Sequence, residues 1–308
     1  MKQDMKSLKL YWVDSFTDKP FCGNPVVIVV NADSISDDEK QLIAKEMNVS
    51  ETVFVSKSQI ADFKVQFFTP KQETVLCGHG TIATFWLLSM IGKIKNQSDD
   101  IITVKQETKA GVLPVEISFD KNKTINKVMM HQILPEFYNN DIDINKIADI
   151  LGISLNDFDQ HYPLKIVSTG RPKLFIPIIN KDILYCIKPN FDKMLDYCVQ
   201  QSITGFHLFT FDTHNVNSIT TARHFAPIAG INEDPVTGIA AGALGCYLSE
   251  FGKDKSTLVN YQMEQGFNMG RNGIIDVEIS KNNQLYNYVK VGGKAHILFN
   301  SNISIIKS

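Results

Sequence analysis

Two short stretches of this chain follow the same plan, about 157 positions apart. Each has a Phe-x-Pro loop, then a turn with glycine and polar side chains, then an apolar helical run, over residues 68–83 and 225–240. Self-similarity at a fixed spacing indicates a repeated structural unit, so the sequence predicts two similar domains that each present a helix N-terminus. Two helix N-termini facing one cleft would bind an anion and stabilise developing negative charge, which suits chemistry on a small carboxylic acid.

The composition is that of an ordinary soluble globular protein. The chain has 308 residues, 44% of them hydrophobic and 21% charged, which favours two domains. A formal net charge of −2 and the lack of a basic cluster argue against nucleic-acid binding. No membrane-spanning run or signal peptide is apparent, so we expect a cytoplasmic protein. The five cysteines form neither a disulfide framework nor a zinc motif, and we expect no metal and no cofactor.

Each half of the chain contains several strand-like segments and one long apolar helical run, at 82–91 and 236–251. A helix that is apolar on all sides is a buried helix. We therefore expect an α+β fold of two domains, each a barrel-like, mostly antiparallel sheet around a central helix. A polar, lysine-rich turn at 120–124 indicates a boundary. The expected domains are 1–121 and 122–292, and the last segment, 293–308, could return to the first.

Three polar residues of these motifs are candidates for catalysis. Glu51 precedes an apolar strand, where desolvation would raise the pKa of its carboxyl toward that of a general base; otherwise it is an exposed strand-start residue. His79 stands at a helix start, where the helix dipole favours a neutral imidazole; a structural cap is the alternative. Asp234 is a helix N-cap candidate, and the equivalence of its turn to the His79 turn suggests a functional role as well.

Cys77 raises a second mechanism, because a thiol at a helix N-terminus is activated. Two facing thiols would make a two-base racemase. The equivalent turn, 234–238, contains no cysteine, and Cys246 lies within the following helix. A buried thiol that supports the turn is therefore favoured over a catalytic one.

Eight motifs, in order along most of the chain, resemble the phenazine biosynthesis PhzF-like family of the diaminopimelate epimerase superfamily. They are Asp14-x-Phe16-Thr17 with Gly23-Asn24-Pro25, Ser50-Glu51-Thr52, Phe68-Thr69-Pro70, Cys77-Gly78-His79, Ser168-Thr169-Gly170, Arg223-x-Phe225-Ala226-Pro227, Glu233-Asp234-Pro235-x-Thr237-Gly238, and Gln265-Gly266 with Met269-Gly270-Arg271. The resemblance implies two pseudo-symmetric domains of the diaminopimelate epimerase-like fold, with the active site in the cleft between them. It also implies cofactor-free isomerisation by proton transfer at carbon, in a biosynthetic role.

The resemblance assigns the catalytic glutamate to Glu51 and its supporting residues to His79 and Asp234. Substrate-binding residues are expected at Asn24, Ser50, Gly78, Gly80, Gly170, Arg223, Thr237, Gly238 and Gly266, with Cys77 as a secondary candidate. Among these, Arg223 could bind a carboxylate bidentately. A serine of the phenazine enzyme corresponds to Ile239 here, which removes a polar contact.

The function that we expect is proton transfer on a small anionic carboxylic acid, with Glu51 removing and returning the proton. Two alternatives stay open, a Cys77-dependent racemase or epimerase and a non-catalytic small-acid binding protein. We expect neither nucleic acid nor membrane as a partner, and a homodimer is one assembly that fits this interpretation.

Overall fold

The computed structural model describes residues 5–95, 100–282 and 285–306. The chain divides into two compact units, one comprising Met1–Met130 with Gly292–Ser308 and the other His131–Val291. Within the described ranges, no helix combines the length and the apolar character needed to cross a membrane.

The strands are β1 (Met5–Ser15), β2 (Asn24–Val30), β3 (Thr52–Ser56), β4 (Phe63–Phe68), β5 (Glu73–Thr74), β6 (Ile101–Thr108), β7 (Gly111–Phe119), β8 (Ile125–His131), β9 (Glu136–Tyr138), β10 (Lys165–Ser168), β11 (Lys173–Pro177), β12 (Phe206–Thr210), β13 (Thr220–Ala226), β14 (Ile231–Asp234), β15 (Leu258–Gln265), β16 (Gly273–Asn282), β17 (Leu285–Gly293) and β18 (Ala295–Ile306). The α-helices are α1 (Asp37–Met47), α2 (Gly78–Met90), α3 (Ile144–Leu151), α4 (Lys181–Cys186), α5 (Phe191–Gln201) and α6 (Gly238–Phe251).

The first unit is a mixed sheet that contains both parallel and antiparallel pairs. From β1 the order runs through β2, β3, β4, β6, β7 and β8. The β2–β3 and β4–β6 pairs are parallel, and the others are antiparallel. On its other edge β1 pairs with β18, from Met5↔Ile306 to Ser15↔Ala295. The C-terminal strand therefore lies in the sheet of the first unit.

Two helices cover the two faces of this sheet. Helix α2 is buried along most of its length and packs on β1, β2, β3 and β18. Helix α1 packs on the other face, where Ile43 and Ala44 join a core with Leu10, Val29 and Phe54. Ser36 caps α1, and a reciprocal bond with Glu39 completes the capping box expected from the Ser-x-x-Glu pattern. The nearly all-apolar sequence of α2 is thus explained by its central position.

The second unit repeats the strand plan of the first. From β10 the order runs through β11, β12, β13, β15 and β16, and the β11–β12 and β13–β15 pairs are parallel. Strand β14 pairs with β13 as β5 pairs with β4, and helix α6 then follows β14 as α2 follows β5. The two Phe-x-Pro loops begin at the ends of β4 and β13. The internal repeat in the sequence is therefore a repeat of topology, and the predicted α+β fold with a central helix in each half is confirmed.

Helix α6 is the buried helix of the second unit. Its glycines let the sheet approach closely, since a Cβ on Gly245 would come within 2.8 Å of Ile279 and Val277. The opposite face of the sheet carries a second core with α3, α4 and α5, including Ile147, Leu184 and Met194.

The boundary between the units differs from the predicted one. The polar turn at 120–124 joins β7 to β8, which are paired from Val115↔Met130 to Phe119↔Ile125. It is a hairpin turn within one unit, and the first unit continues to Met130. A polar turn is expected both in a hairpin within one unit and at a boundary between two units, so composition alone does not distinguish the two cases.

Candidate active site

The candidate site of the first unit is built at the start of α2. Cys77 is the N-cap residue, in an extended conformation, and its Sγ accepts a hydrogen bond from the Gly80 N–H at 3.3 Å. A Cβ on Gly80 would lie 3.1 Å from this sulfur and from the Phe67 ring, so a small residue is needed there. The N–H groups of Gly78 and His79 belong to the first turn, which has no intrahelical acceptors for them. The Gly80 N–H, expected to bind substrate, is instead used by the cap.

Glu51 is brought to this helix start by the loop between α1 and β3. Helix α1 ends at Met47, its C-cap Asn48 adopts a left-handed conformation with φ of 50°, and Glu51 immediately precedes β3. The Glu51 Oε2 lies 3.2 Å from the His79 Nε2, and the Ser50 Oγ lies 3.4 Å from the same nitrogen. The Cys77 Sγ lies 3.4 Å from the His79 Nδ1. The structure thus places four of the predicted residues together, although the two motifs that supply them are separate in sequence.

The charge of His79 differs from the prediction. Burial lowers the pKa of His79, but the charges that Cys77 and Glu51 carry when ionised, and the hydrogen bonds to both, raise it, and the net shift is well upward. Burial, and then the charge of Glu51, raise the pKa of the Cys77 thiol. The raised pKa favours the neutral thiol of Cys77, and the Glu51 carboxylate is then the charge that favours an imidazolium on His79. An ionised carboxylate at 3.2 Å outweighs the partial charge of the helix end.

Asn24 also belongs to the first unit, at the start of β2. It is buried, and its carbonyl accepts a hydrogen bond from the Ser15 hydroxyl at 3.0 Å. The preceding Gly23 has φ of +65°, and a Cβ there would collide with the Ser15 carbonyl oxygen. Glycine is therefore required to make the turn that positions Asn24.

The second unit has a candidate group of its own, the turn that precedes α6. The Asp234 Oδ2 accepts a hydrogen bond from the Thr237 hydroxyl at 2.5 Å. Gln265, buried at the end of β15, donates from Nε2 to the Asp234 carbonyl at 2.7 Å and accepts from the Thr237 N–H at 3.1 Å. The Thr237 N–H, expected to bind substrate, is thus used by Gln265. The N–H groups of Gly238 and Ile239 are those that the first turn leaves without intrahelical acceptors.

Two predicted glycines hold loops beside this turn. Gly266 has φ of +90°, and a Cβ there would collide with the Arg271 carbonyl and lie 2.7 Å from that of Pro235. Gly170 has φ of +121°, and its N–H donates to the Ser168 hydroxyl at 3.0 Å. The neighbouring Thr169 hydroxyl donates to the Ile239 carbonyl at 3.2 Å, which ties this loop to the first turn of α6.

Arg223 does not have the free guanidinium expected of a substrate ligand. Its Nε and Nη2 donate to the two carboxylate oxygens of Glu233, both at 2.8 Å. Its Nη1 donates to the carbonyls of Leu184 and Ile187 at 2.9 and 2.8 Å. Only 5% of the residue is exposed. The structure thus argues against a substrate-binding role, since Arg223 holds strand β14 and the end of α4 together.

Lys173 is a buried titratable residue near Asp234 that the sequence did not single out. It is 2% exposed, and its Nζ donates to the Arg171 carbonyl at 3.0 Å. Burial, and then the charge of Arg171, lower its pKa to about 7, against the opposing effect of Asp234. Burial, and then Lys173, lower the pKa of the nearby His207 to about 3. In the sequence, only the position of this lysine at the start of the apolar strand Lys-Leu-Phe-Ile-Pro indicates that it is buried.

The chain resembles known proteins over nearly its whole length. A family model described as phenazine biosynthesis-like protein, PhzC-PhzF, matches residues 13–301. An uncharacterized isomerase of Clostridium acetobutylicum is 35% identical, with 97% of this chain and 99% of that protein covered. The crystal structure of a PhzF-family phenazine biosynthesis protein from Bacillus anthracis superimposes with a TM-score of 0.89 at 30% identity, covering 97% of this chain and 99% of the other.

A more distant structural likeness concerns the fold alone. A hydroxyproline epimerase from Agrobacterium vitis superimposes with a TM-score of 0.64 at 10% identity, over 98% of this chain and 93% of the other. This shared fold, and the similarity to isomerases along nearly the whole chain, agree with the topology described above. The chain therefore belongs to the PhzC-PhzF family of phenazine biosynthesis-like proteins, and it is an enzyme of the isomerase class.

Proposed function

We propose that this protein catalyses a cofactor-independent proton shift on a small carboxylic acid, with Glu51 as the base. The observation that carries this proposal is the pair formed by the Glu51 carboxylate and the His79 imidazole, 3.2 Å apart at the start of a buried helix. A carboxylate beside an imidazolium supplies both a proton acceptor and a proton donor. The Glu51 side chain is 19% exposed, so it is accessible to a ligand.

In the first step, Glu51 removes a proton from a carbon next to the carboxyl group or to an unsaturated centre of the acid. Negative charge then develops on a substrate oxygen. The His79 imidazolium and the N–H groups of the first turn of α2 stabilise that charge, because they are fixed donors in a partly desolvated site. In the second step, the Glu51 carboxylic acid returns the proton to carbon, at the same position or at another position of the delocalised system.

The second unit, considered by itself, presents a helix N-terminus at the Asp234 turn. Gln265 and Thr237 fix this turn, and the first turn of α6 offers N–H groups that favour an anion. Asp234 itself is a proton acceptor for a hydroxyl or amino group of an acid bound at this turn. These interactions favour a substrate that has both a carboxylate and a second polar group.

Solvent deuterium exchange tests the proposal directly. Candidate acids are first selected by thermal stabilisation of the protein, since a ligand at about 100 times its dissociation constant adds roughly 2.7 kcal/mol. Each ligand is then incubated with the enzyme in D2O, and incorporation at carbon is followed by NMR and mass spectrometry. We expect the native enzyme to exchange a carbon-bound proton, and Glu51→Gln to lose at least about 10²-fold in rate.

Glu46→Gln is the matched control, because Glu46 is an exposed glutamate of the preceding helix, α1. It should exchange at the native rate. If Glu51→Gln binds the acid and exchanges at the native rate, Glu51 is not the base. If the native protein binds acids tightly and exchanges none of them, a binding function replaces the enzymatic one.

A further inference from the structure

A short apolar segment lies beside the N-terminal end of α6. It comprises residues 132–135, between β8 and β9. The Gln132 Nε2 donates to the Gly238 carbonyl at 3.2 Å, which attaches the segment to the first residue of the helix. The next residue, Ile133, is 67% exposed although its side chain is large and apolar. The attachment therefore places an exposed apolar surface next to the helix end.

Ile133 also lies against a loop that is bound to the same helix end. A Cβ on Gly170 would lie 3.6 Å from the Ile133 Cδ1, which is an ordinary van der Waals distance. The adjacent Thr169 hydroxyl donates to the Ile239 carbonyl at 3.2 Å. One loop therefore links the two isoleucines, and because Gly170 has no side chain, Ile133 is left uncovered on that side.

Ile239 is the second residue of α6, and it is partly buried. The Cα–Cβ bonds of a helix tilt toward its N-terminus, so the Ile239 side chain leans toward the end where the first-turn N–H groups lack intrahelical acceptors. A carboxylate bound by those N–H groups would bring the rest of its molecule close to this apolar side chain.

Polar and apolar groups thus occur together at this helix end. The polar groups are the first-turn N–H groups and the carboxylate of Asp234, which the Thr237 hydroxyl fixes by a hydrogen bond of 2.5 Å. The apolar surface belongs to Ile133 and Ile239. Ligand sites combine apolar walls with a few fixed polar groups in this way, whereas an isolated exposed isoleucine needs no functional explanation.

We propose that Ile133 and Ile239 are specificity-determining residues that select acids with a hydrocarbon chain. The carboxylate binds to the first-turn N–H groups of α6, a hydroxyl or amino group on the neighbouring carbon donates to Asp234, and the chain packs on the two isoleucines. This selectivity rests on the proposed function, because the acid must bind at this turn. A polar chain is disfavoured, since it would lose its hydration against the isoleucines and gain no hydrogen bond from them.

The probes are 2-hydroxy acids whose side chains grow from methyl to butyl, namely lactate, 2-hydroxybutanoate, 2-hydroxypentanoate and 2-hydroxyhexanoate. Calorimetric titration gives the dissociation constant of each acid. We expect each added methylene to tighten binding to the native protein by more than about twofold, and by up to about fourfold where it is fully buried. Ile133→Ser and Ile239→Ser should each lower this increment below about twofold, because part of the apolar surface is removed.

Ile179→Ser is the matched control. Ile179 is another isoleucine of the second unit and is 53% exposed, so its replacement removes the same apolar group from the surface. This variant should keep the native increment. Far-ultraviolet circular dichroism verifies that each variant is folded, and Ile239→Ser is an independent test if Ile133→Ser is not.

Equal affinity for all the probe acids in the native protein, or no detectable binding of any of them, would overturn the selectivity. Persistence of the native increment in both Ile133→Ser and Ile239→Ser would overturn it as well. Size-exclusion chromatography compares the oligomeric state of the variants. A changed oligomeric state in Ile133→Ser, with an unchanged increment, would assign Ile133 to an interface between copies of the chain instead.

Failure of the proposed function is recognised separately, by incubating 2-hydroxyhexanoate with the native enzyme in D2O. Deuterium incorporation at the carbon next to the carboxylate reports the proton transfer. A chain-length increment without exchange would refute the catalytic step alone. Exchange without a chain-length increment would refute the selectivity alone.

Discussion

The guanidinium of Arg223 and the carboxylate of Glu233 are joined by two hydrogen bonds of 2.8 Å, one from Nε and one from Nη2. Both residues lie in motifs that suggest a substrate site, yet the pair is turned inward, with side-chain exposures of 6% and 16%. The arginine also stacks over Phe225, with its Cζ 4.7 Å from the ring centroid. The pair therefore supports strand β14, which ends at Asp234, from the interior of the second unit.

Removal of this arginine should destabilise the fold. Arg223→Met leaves the Glu233 carboxylate and two carbonyls without their donors, and breaking a buried ion pair in this way costs about 3–5 kcal/mol of unfolding free energy. Arg223→Lys should fall between this variant and the native protein, since lysine cannot reproduce the bidentate contact. Urea unfolding measures both.

The matched control for Arg223 is Lys193→Met, which removes an exposed pair with Asp149, 52% and 63% exposed. It should cost no more than about 1 kcal/mol. If Arg223→Met unfolds at the native urea concentration but binds the acid far more weakly, Arg223 is a substrate ligand after all.

The charge of His79 should depend on Glu51. The pKa of His79 is raised well above its ordinary value in the folded protein, so its pairing with Glu51 adds stability below the unfolded pKa of about 6.5. That stability is lost as pH rises through the raised pKa. NMR titration of His79 should show a lower pKa in Glu51→Gln than in the native protein, and Glu46→Gln should leave it unchanged.

Unfolding measurements give a second view of the same pair. The stability advantage of the native protein over Glu51→Gln should be largest near pH 6 and should shrink in more alkaline solution. An advantage that grows with pH would mean that His79 is neutral beside Glu51.

Lys173 should make the second unit more stable in mildly alkaline solution. Its folded pKa, about 7, lies below the ordinary lysine pKa of 10.5, so between these values the unfolded chain binds more protons and stability rises with pH. From pH 7 to pH 9 the unfolding free energy should rise by roughly 2 kcal/mol more in the native protein than in Lys173→Met.

Lys188→Met, which removes an exposed lysine of the same unit, is the control for Lys173 and should follow the native pH dependence. Equal pH dependence in Lys173→Met and in the native protein would show that Lys173 stays charged when folded.

Cys77 should support the helix start without transferring a proton itself. Burial raises the pKa of its thiol, which disfavours the thiolate that a racemase would need. In metal-free buffer, Cys77→Ser should keep the N-cap bond to Gly80 and lose less deuterium-exchange activity than the 10²–10⁴-fold that a proton-transferring group contributes. A loss in that range, in a folded protein, would favour the cysteine-dependent racemase over the glutamate mechanism.

Much of the fold could be predicted because its determinants are local. The Ser36–Glu39 capping box fixes the start of α1, and the Asp143 cap fixes the start of α3. The short helix α4 was missed, since six residues opened by the Asn180 cap carry too little periodicity to be recognised. Its position matters, because the carbonyls of Leu184 and Ile187 bind Arg223.

The sequence by itself determined the repeated topology, the two central helices and the candidate residues Glu51, His79 and Asp234, because periodicity, caps and motifs depend on neighbouring residues. The tertiary structure decided the rest. The pairing of β18 with β1, the inward pairing of Arg223 with Glu233, the burial of Lys173 and the charge of His79 all depend on residues distant in sequence. Burial and electrostatic interactions depend on distances in space, and a linear pattern does not contain those distances.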